Sequence, residues 1–212
     1  MIKDFDYEQM LDGDLYVARN ISPENQSIHG QRLAQKINQL PIDQTEKIIK
    51  LEKALFGSTG EHIFVAPPLH VDYGRHVHLG ENVYCNMDCI FLDVNTITIG
   101  NNVMLGPRVS LLTAGHPIDA AIRISDLEFG LPITIEDNVW IGGSATILPG
   151  ITVGKNSIVA AGAIVTRDVP ENVIVGGNPA KIIRPVTKED TQKWQQKSKA
   201  YYQKKTNHSQ SL

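Results

Sequence analysis

Residues 133–169 read ITIEDNVWIGGSATILPGITVGKNSIVAAGAIVTRDV, and the period of this stretch decides the fold. Ile135, Ile141, Ile147, Val153, Val159 and Val165 recur every six positions, and Val139, Ala145, Ile151, Ser157, Ala163 and Val169 hold a second position four places further on. Six residues is too long a period for one strand, which alternates, or for a helical turn. It fits a coil of three short flat strands with about 18 residues per turn, the pattern of a parallel β-helix. The corners of such a coil call for small residues or for residues that accept positive φ. The tripeptides G-N-N (100–102), E-D-N (136–138) and G-K-N (154–156) supply them. A sandwich of short strands would alternate with period two and would not hold this phase through six repeats.

Upstream the same period continues with slips. Val65 and Val71 share one phase, then Leu79, Cys85 and Phe91, then Ile99, Leu105 and Leu111. Each change of phase is an insertion of two residues, which at a corner leaves the following strand on its own face. One segment escapes the pattern: TAGHPIDAAIRISDLEFG, between Leu112 and Leu131, has neither the six-residue period nor a helical stripe. The spacing from Leu111 to Ile135 is nevertheless a multiple of six. A loop of about 20 residues without secondary structure is expected to be functional. His116 lies at its root.

Residues 1–60 have helical character. Ser22-Pro23-Glu24 offers an N-cap with proline at the first helical position. Ile48, Ile49, Leu51, Leu55 and Phe56 fall largely on one face, and Gly57 supplies a stop. The tail 187–212, TKEDTQKWQQKSKAYYQKKTNHSQSL, places Trp194, Tyr201 and Tyr202 at near-helical spacing and reads as a helix with a frayed end. The expected organisation is a helical cap over 1–60, a β-helix over 61–185 with an excursion at 112–131, and a helical tail over 186–212. The cap would cover the unpaired strand edges at one end of the coil.

With a formal net charge of -3 and lysines crowded only at the very end, the chain lacks the basic footprint of a nucleic-acid binder. Its apolar runs fall short of the roughly 20 residues of a membrane span. The acidic N-terminus lacks the apolar run of a signal peptide, so a cytoplasmic protein is expected. Cys85 and Cys89 lack the spacing of a redox pair and read as small buried apolar residues.

The array of six-residue repeats, the TAGHP stretch of 113–117, the helical N-terminus, and the endings VWIGGSATILPGITVG and VIVGGNPAKIIR resemble the maltose and galactoside O-acetyltransferases. These belong to the hexapeptide-repeat acyltransferases. The DYG of 72–74, YCN of 84–86 and FLDV of 91–94 point to the same branch, and the resemblance covers residues 5 to about 185. It implies a mainly β fold built on a left-handed parallel β-helix, a homotrimer, and acetyl transfer from acetyl-CoA to a sugar hydroxyl at sites between neighbouring subunits. The geometry of a three-sided prism agrees, since one flat face can be offered to each neighbour.

A hydroxyl attacking a thioester near neutral pH needs a general base, and neutral imidazole suits that task. His116 is the candidate. A carboxylate or carbonyl should fix its tautomer, and Glu128 in the same loop is the expected partner. The oxyanion of the tetrahedral intermediate needs an N–H donor. Asn86 matches the family asparagine beside sugar and histidine, and the backbone of Gly142 or Gly143 could face the acetyl group. For the acceptor, the resemblance and the residue types point to Asp72, Tyr84, Asn86 and Asp93, carboxylates being able to accept paired bonds from vicinal hydroxyls. The family's acid near the N-terminus falls on Ala18 here. For coenzyme A, Gly143, Ala161 and Thr166 match the pantetheine positions, Trp140 is expected near the groove or in a trimer interface, and Arg167, Lys181 and Arg184 are candidates for the phosphates.

Three other readings stand beside this one: an acetyltransferase for serine, an antibiotic or an amino sugar; a zinc enzyme of the γ-class carbonic anhydrase type; and a non-catalytic β-helix scaffold. His70, His76 and His78 cluster in sequence and invite the metal reading. The zinc family, however, pairs a histidine with a second one five residues on, and that position after His116 is Ala121. No metal is therefore expected.

Overall fold

The structure, a computed structural model, describes residues 4–210; the ends of the expected cap and tail, 1–3 and 211–212, lie outside the described residues. The repeats wind into the expected β-helix, a prism with three faces. Face A carries Ile63–Val65, Val83–Cys85, Met104–Leu105, Trp140–Ile141, Ile158–Val159 and Val173–Gly177. Face B carries His70–Val71, Ile90–Leu92, Ser110–Leu112, Thr146–Ile147 and Ile164–Val165, and face C carries Val77–Leu79, Ile97–Ile99, Ile133–Ile135 and Thr152–Val153. Strands stack in parallel register along each face, except that Ala180–Pro185 returns antiparallel on Val173–Gly177 at the end of face A.

Both repeating positions point inward. Ile135, Ile141, Ile147, Val153 and Val159 are fully buried, as are Val139, Ala145 and Ala163. Ser157 occupies one inward position, and its hydroxyl donates to the Pro170 carbonyl at 2.6 Å while accepting from the Val173 amide at 3.2 Å. Cys85 and Cys89 are buried and free, as the sequence indicates. At the edge between faces C and A, Asn82, Asn102, Asn138, Asn156 and Asn172 all adopt positive φ. Their carboxamides form a continuous ladder with steps of 3.1, 3.0, 2.9 and 2.9 Å. Asparagine is one of the few residues that takes this backbone region readily, and here its side chain also ties each coil to the next.

Two helices close the N-terminal end. Helix α2 (Ile28–Asn38) and helix α3 (Thr45–Leu55) bury Ala34, Ile37, Ile48 and Leu55 in the same core as the coils. The Asn38 carboxamide donates to the Leu69 carbonyl at 2.8 Å and accepts from its amide at 2.9 Å, satisfying the open edge of the first coil. The Ser22-Pro23-Glu24 signal does not open α2. Both the amide and the hydroxyl of Ser22 are taken by the Asp4 carboxylate, at 2.9 and 2.7 Å, so Pro23–Asn25 form only a 3₁₀ turn.

Within the buried stripe of α3 stands an acid that the apolar pattern conceals. Glu52 is fully buried; its Oε1 accepts from the Val65 amide at 3.2 Å, and its Oε2 has no partner. Burial pushes its pKa up to about 8. In the unfolded chain the group ionises near its ordinary value, so unfolding releases a proton and stability falls as pH rises from about 4.5 towards 8. The slope approaches about 1.4 kcal/mol per pH unit. The thermal denaturation midpoint over this range should therefore fall less steeply in Glu52→Gln than in the unaltered protein, the buried Asp93 adding its own decline to both; identical profiles for the two proteins would contradict this assignment.

Candidate active site

The insertions visible in the sequence all fall on one edge of the prism, between faces B and C. On face A, Tyr84 pairs with Met104, Met104 with Trp140, and Trp140 with Ile158, so successive turns take 20, 36 and 18 residues. The turn of 36 contains the excursion, which adds one whole turn's worth of chain at its corner and so keeps the phase of the repeats. The excursion is not devoid of structure, contrary to its sequence pattern. Ala114–Gly115 and Phe129–Gly130 form an antiparallel stem, and Ala120–Arg123 form one helical turn capped by Asp119.

Helix α1 (Phe5–Asp12) and the segment after it lie along the same edge. Tyr16 and Glu128 exchange backbone hydrogen bonds of 3.0 and 3.1 Å, so the N-terminal segment extends the stem. The Asn95 carboxamide donates to the carbonyls of Met10 and Gly130 at 3.0 and 2.9 Å and locks α1 against the stem. Between this segment and the excursion runs a cleft lined by Val17, Ala18, Arg19, His116, Arg123, Asp126 and Glu128. It borders a second hollow that shares Ala18, Arg19 and Glu128 and reaches Asp72 and Tyr73.

His116 and Glu128 thus face one cleft. Burial raises the Glu128 pKa, and the charge of His116 opposes that rise. Asp72 lines the hollow, and Gln31 donates to its Oδ1 at 2.9 Å. Asp93 is fully buried at the same edge. Its Oδ1 accepts from the amides of Asp72 and Tyr73, both at 2.9 Å, while Oδ2 is buried without a partner. Burial pushes the Asp93 pKa up to about 7. The geometry adds Arg19, Arg123 and Asp126, which sequence reasoning passes over. Arg19 pairs with Asp126 across the cleft, and Arg123 is anchored to the carbonyls of Pro117 and Ile118 at 2.9 and 3.0 Å.

The remaining candidates sit elsewhere. Asn86, Gly142, Gly143 and Ala161 occupy the edge between faces A and B, so one chain does not bring Asn86 beside His116. Asn86 caps its own corner by accepting from the Met87 amide at 2.8 Å. Small residues are required on this edge: a Cβ on Gly142 would lie 2.5 Å from the Ala161 amide nitrogen. The Gly142 amide is spent on the Val159 carbonyl at 2.7 Å, whereas that of Gly143 makes no hydrogen bond among the described residues. Tyr84 and Trp140 stand in the outward row of face A, 42% and 50% exposed, with Met104 between them at 53%.

At the C-terminal end, Arg167 and Lys181 line one groove with Val165, Pro170 and Ile182, and exposed Thr166 adjoins it. Arg184 is not free there. It holds Asp190 through contacts of 2.5 and 3.0 Å, which fastens the C-terminal helix Lys188–Gln210 to the last strand. The three clustered histidines have separate partners: His70 lies 3.9 Å from Asp88, His76 meets Tyr7, and His78 meets Ser58. No helix among the described residues is long and apolar enough to cross a membrane.

The fold has counterparts among known proteins. The maltose acetyltransferase hexapeptide capping motif matches residues 9–60, and the hexapeptide repeat of succinyl-transferase matches 132–167. Galactoside O-acetyltransferase of Escherichia coli K12 is 37% identical over 86% of this chain and 90% of its own. A maltose O-acetyltransferase structure from Clostridium difficile 630 superposes with a TM-score of 0.83 and 43% identity, over 86% of this chain and 98% of that one. A galactoside acetyltransferase in complex with coenzyme A also gives a TM-score of 0.83, with 36% identity over 88% and 93% of the two chains.

Proposed function

Because the chain belongs to the maltose and galactoside O-acetyltransferase family, an acyltransferase family, we propose that it transfers acetyl from acetyl-CoA to a sugar hydroxyl, with His116 as general base. The observation that carries this reading is that His116 and Glu128 line one cleft, at the edge where every insertion of the coil is gathered. His116 takes the proton of the sugar hydroxyl as its oxygen attacks the thioester carbon. A C–O bond forms, the C–S bond breaks through a tetrahedral intermediate, and the proton passes from His116 to the departing sulfur. Glu128 holds the imidazolium between these steps. The unspent Gly143 amide, rather than that of Gly142, is suited to the oxyanion. The route draws on no metal ion.

The division of the candidates between two edges supports a trimer in which the B–C edge of one subunit meets the A–B edge of its neighbour. The outward row of Tyr84, Met104 and Trp140 gives face A an apolar strip of the kind that such contacts cover. Asp72 and Asp93 then contact the acceptor with the neighbour's Tyr84 and Asn86. Pantetheine runs along Trp140, Gly143 and Ala161 towards Thr166, and Arg167 and Lys181 take the phosphates. Arg184 joins them only by leaving Asp190.

A panel of maltose, glucose, galactosides, serine, amino sugars and aminoglycosides, assayed by thiol release and product mass, tests the acceptor class. An acetyl ester on a neutral sugar is expected. Turnover confined to amines would overturn the sugar reading.

A further inference from the structure

We propose that Tyr7 and His76 form a positioning pair that holds Asp93 for the acceptor, an inference that rests on Asp93 contacting the acceptor as described above. His76 is 6% exposed, and its Nδ1 lies 2.7 Å from the Asp93 carbonyl oxygen. A carbonyl only accepts, so Nδ1 carries the proton and donates it. Nε2 is then the acceptor, and the Tyr7 hydroxyl donates to it at 2.8 Å. The tautomer is thereby fixed from both sides.

The ring is also held in its plane. Tyr73 stacks on His76 with centroids 4.5 Å apart and an interplanar angle of 27°. The Arg75 guanidinium lies over the rings of Tyr7 and Tyr73, at 5.0 and 5.5 Å from their centroids. The imidazole cannot turn without losing two hydrogen bonds and a stack. On its other side Asp93 is fixed by the two amides on Oδ1. Held at its backbone oxygen and at Oδ1, Asp93 has a single acceptor left, the buried Oδ2. A buried carboxylate oxygen without a donor is costly, and a sugar hydroxyl is a donor of the required kind. Tyr7 reaches His76 from α1, whose start is tied down by Asp4 through Ser22 and Asn25. The N-terminal helix therefore bears on acceptor binding without lining the cleft.

The test is steady-state kinetics of Tyr7→Phe, His76→Asn, His76→Leu and Asp93→Asn, with maltose, glucose and methyl β-galactoside as acceptors. Tyr7→Phe keeps every carbon atom in place and should raise the acceptor KM about 3–10-fold, the effect of one lost hydrogen bond, with the KM for acetyl-CoA unchanged. His76→Leu should raise it further, and His76→Asn, which retains a donor for the Asp93 carbonyl, should recover part of the loss. A merely structural role would lower kcat through loss of active enzyme and leave KM alone. If Asp93→Asn raises the acceptor KM and Tyr7→Phe does not, the positioning role is overturned. If Asp93→Asn itself leaves the acceptor KM unchanged, the acceptor reading of Asp93 fails, and the positioning role with it.

Discussion

Replacement of His116 by alanine is expected to lower kcat about 10²–10⁴-fold, the usual contribution of a positioned general base. The argument is local. His116 stands at the root of the excursion, outside the packed coil, on a stem fixed by one antiparallel strand pair and by Asn95. Its imidazole contributes no core packing, so removal should leave the fold intact and the KM for acetyl-CoA within about twofold. Thermal midpoints of the variant check the first point, and initial rates of thiol release check the second. Undiminished release would remove His116 from the mechanism.

The second large effect concerns the two edges. Asn86→Ala should be strongly impaired, on the order of 10²-fold, because it removes a polar contact at the reacting centre. Neither it nor His116→Ala can form a working site alone. When equal amounts of the two variants are refolded together, about one quarter of the sites in a randomly mixed trimer combine an intact B–C edge with an intact A–B edge. The mixture should therefore recover up to about a quarter of wild-type activity, measured against each variant refolded separately. If both edges of a site came from one chain, every site in the mixture would carry a defect and no activity would return.

Much of this architecture was legible because a coil repeats its environment. Each inward position of a β-helix meets the same neighbours one turn above and below, so Ile135 through Val165 announce themselves by period alone. The edges were legible too, for a reader counting corners: Asp72, Asp93 and the excursion share one corner, and Asn86, Gly142 and Ala161 share another. The excursion itself kept its internal structure hidden, because a two-residue stem and one helical turn are too short to impose a period. Glu52 gives no sequence signal of its burial, because its position in α3 fits the apolar stripe while its chemistry does not. The pairing of Arg19 with Asp126, like that of Tyr7 with His76, joins residues far apart in sequence, and no local signal foretells either.

The central claim is that acetyl-CoA and the acceptor meet where His116 of one subunit faces the small-residue edge of another. A crystal structure with bound coenzyme A and a sugar tests it most directly. The account predicts pantetheine along Gly143 and Ala161 of one copy, its thiol directed at His116 of a neighbouring copy, and a sugar hydroxyl within hydrogen-bond reach of that imidazole. Coenzyme A lying wholly against one chain, or a thiol pointing away from His116, would contradict it.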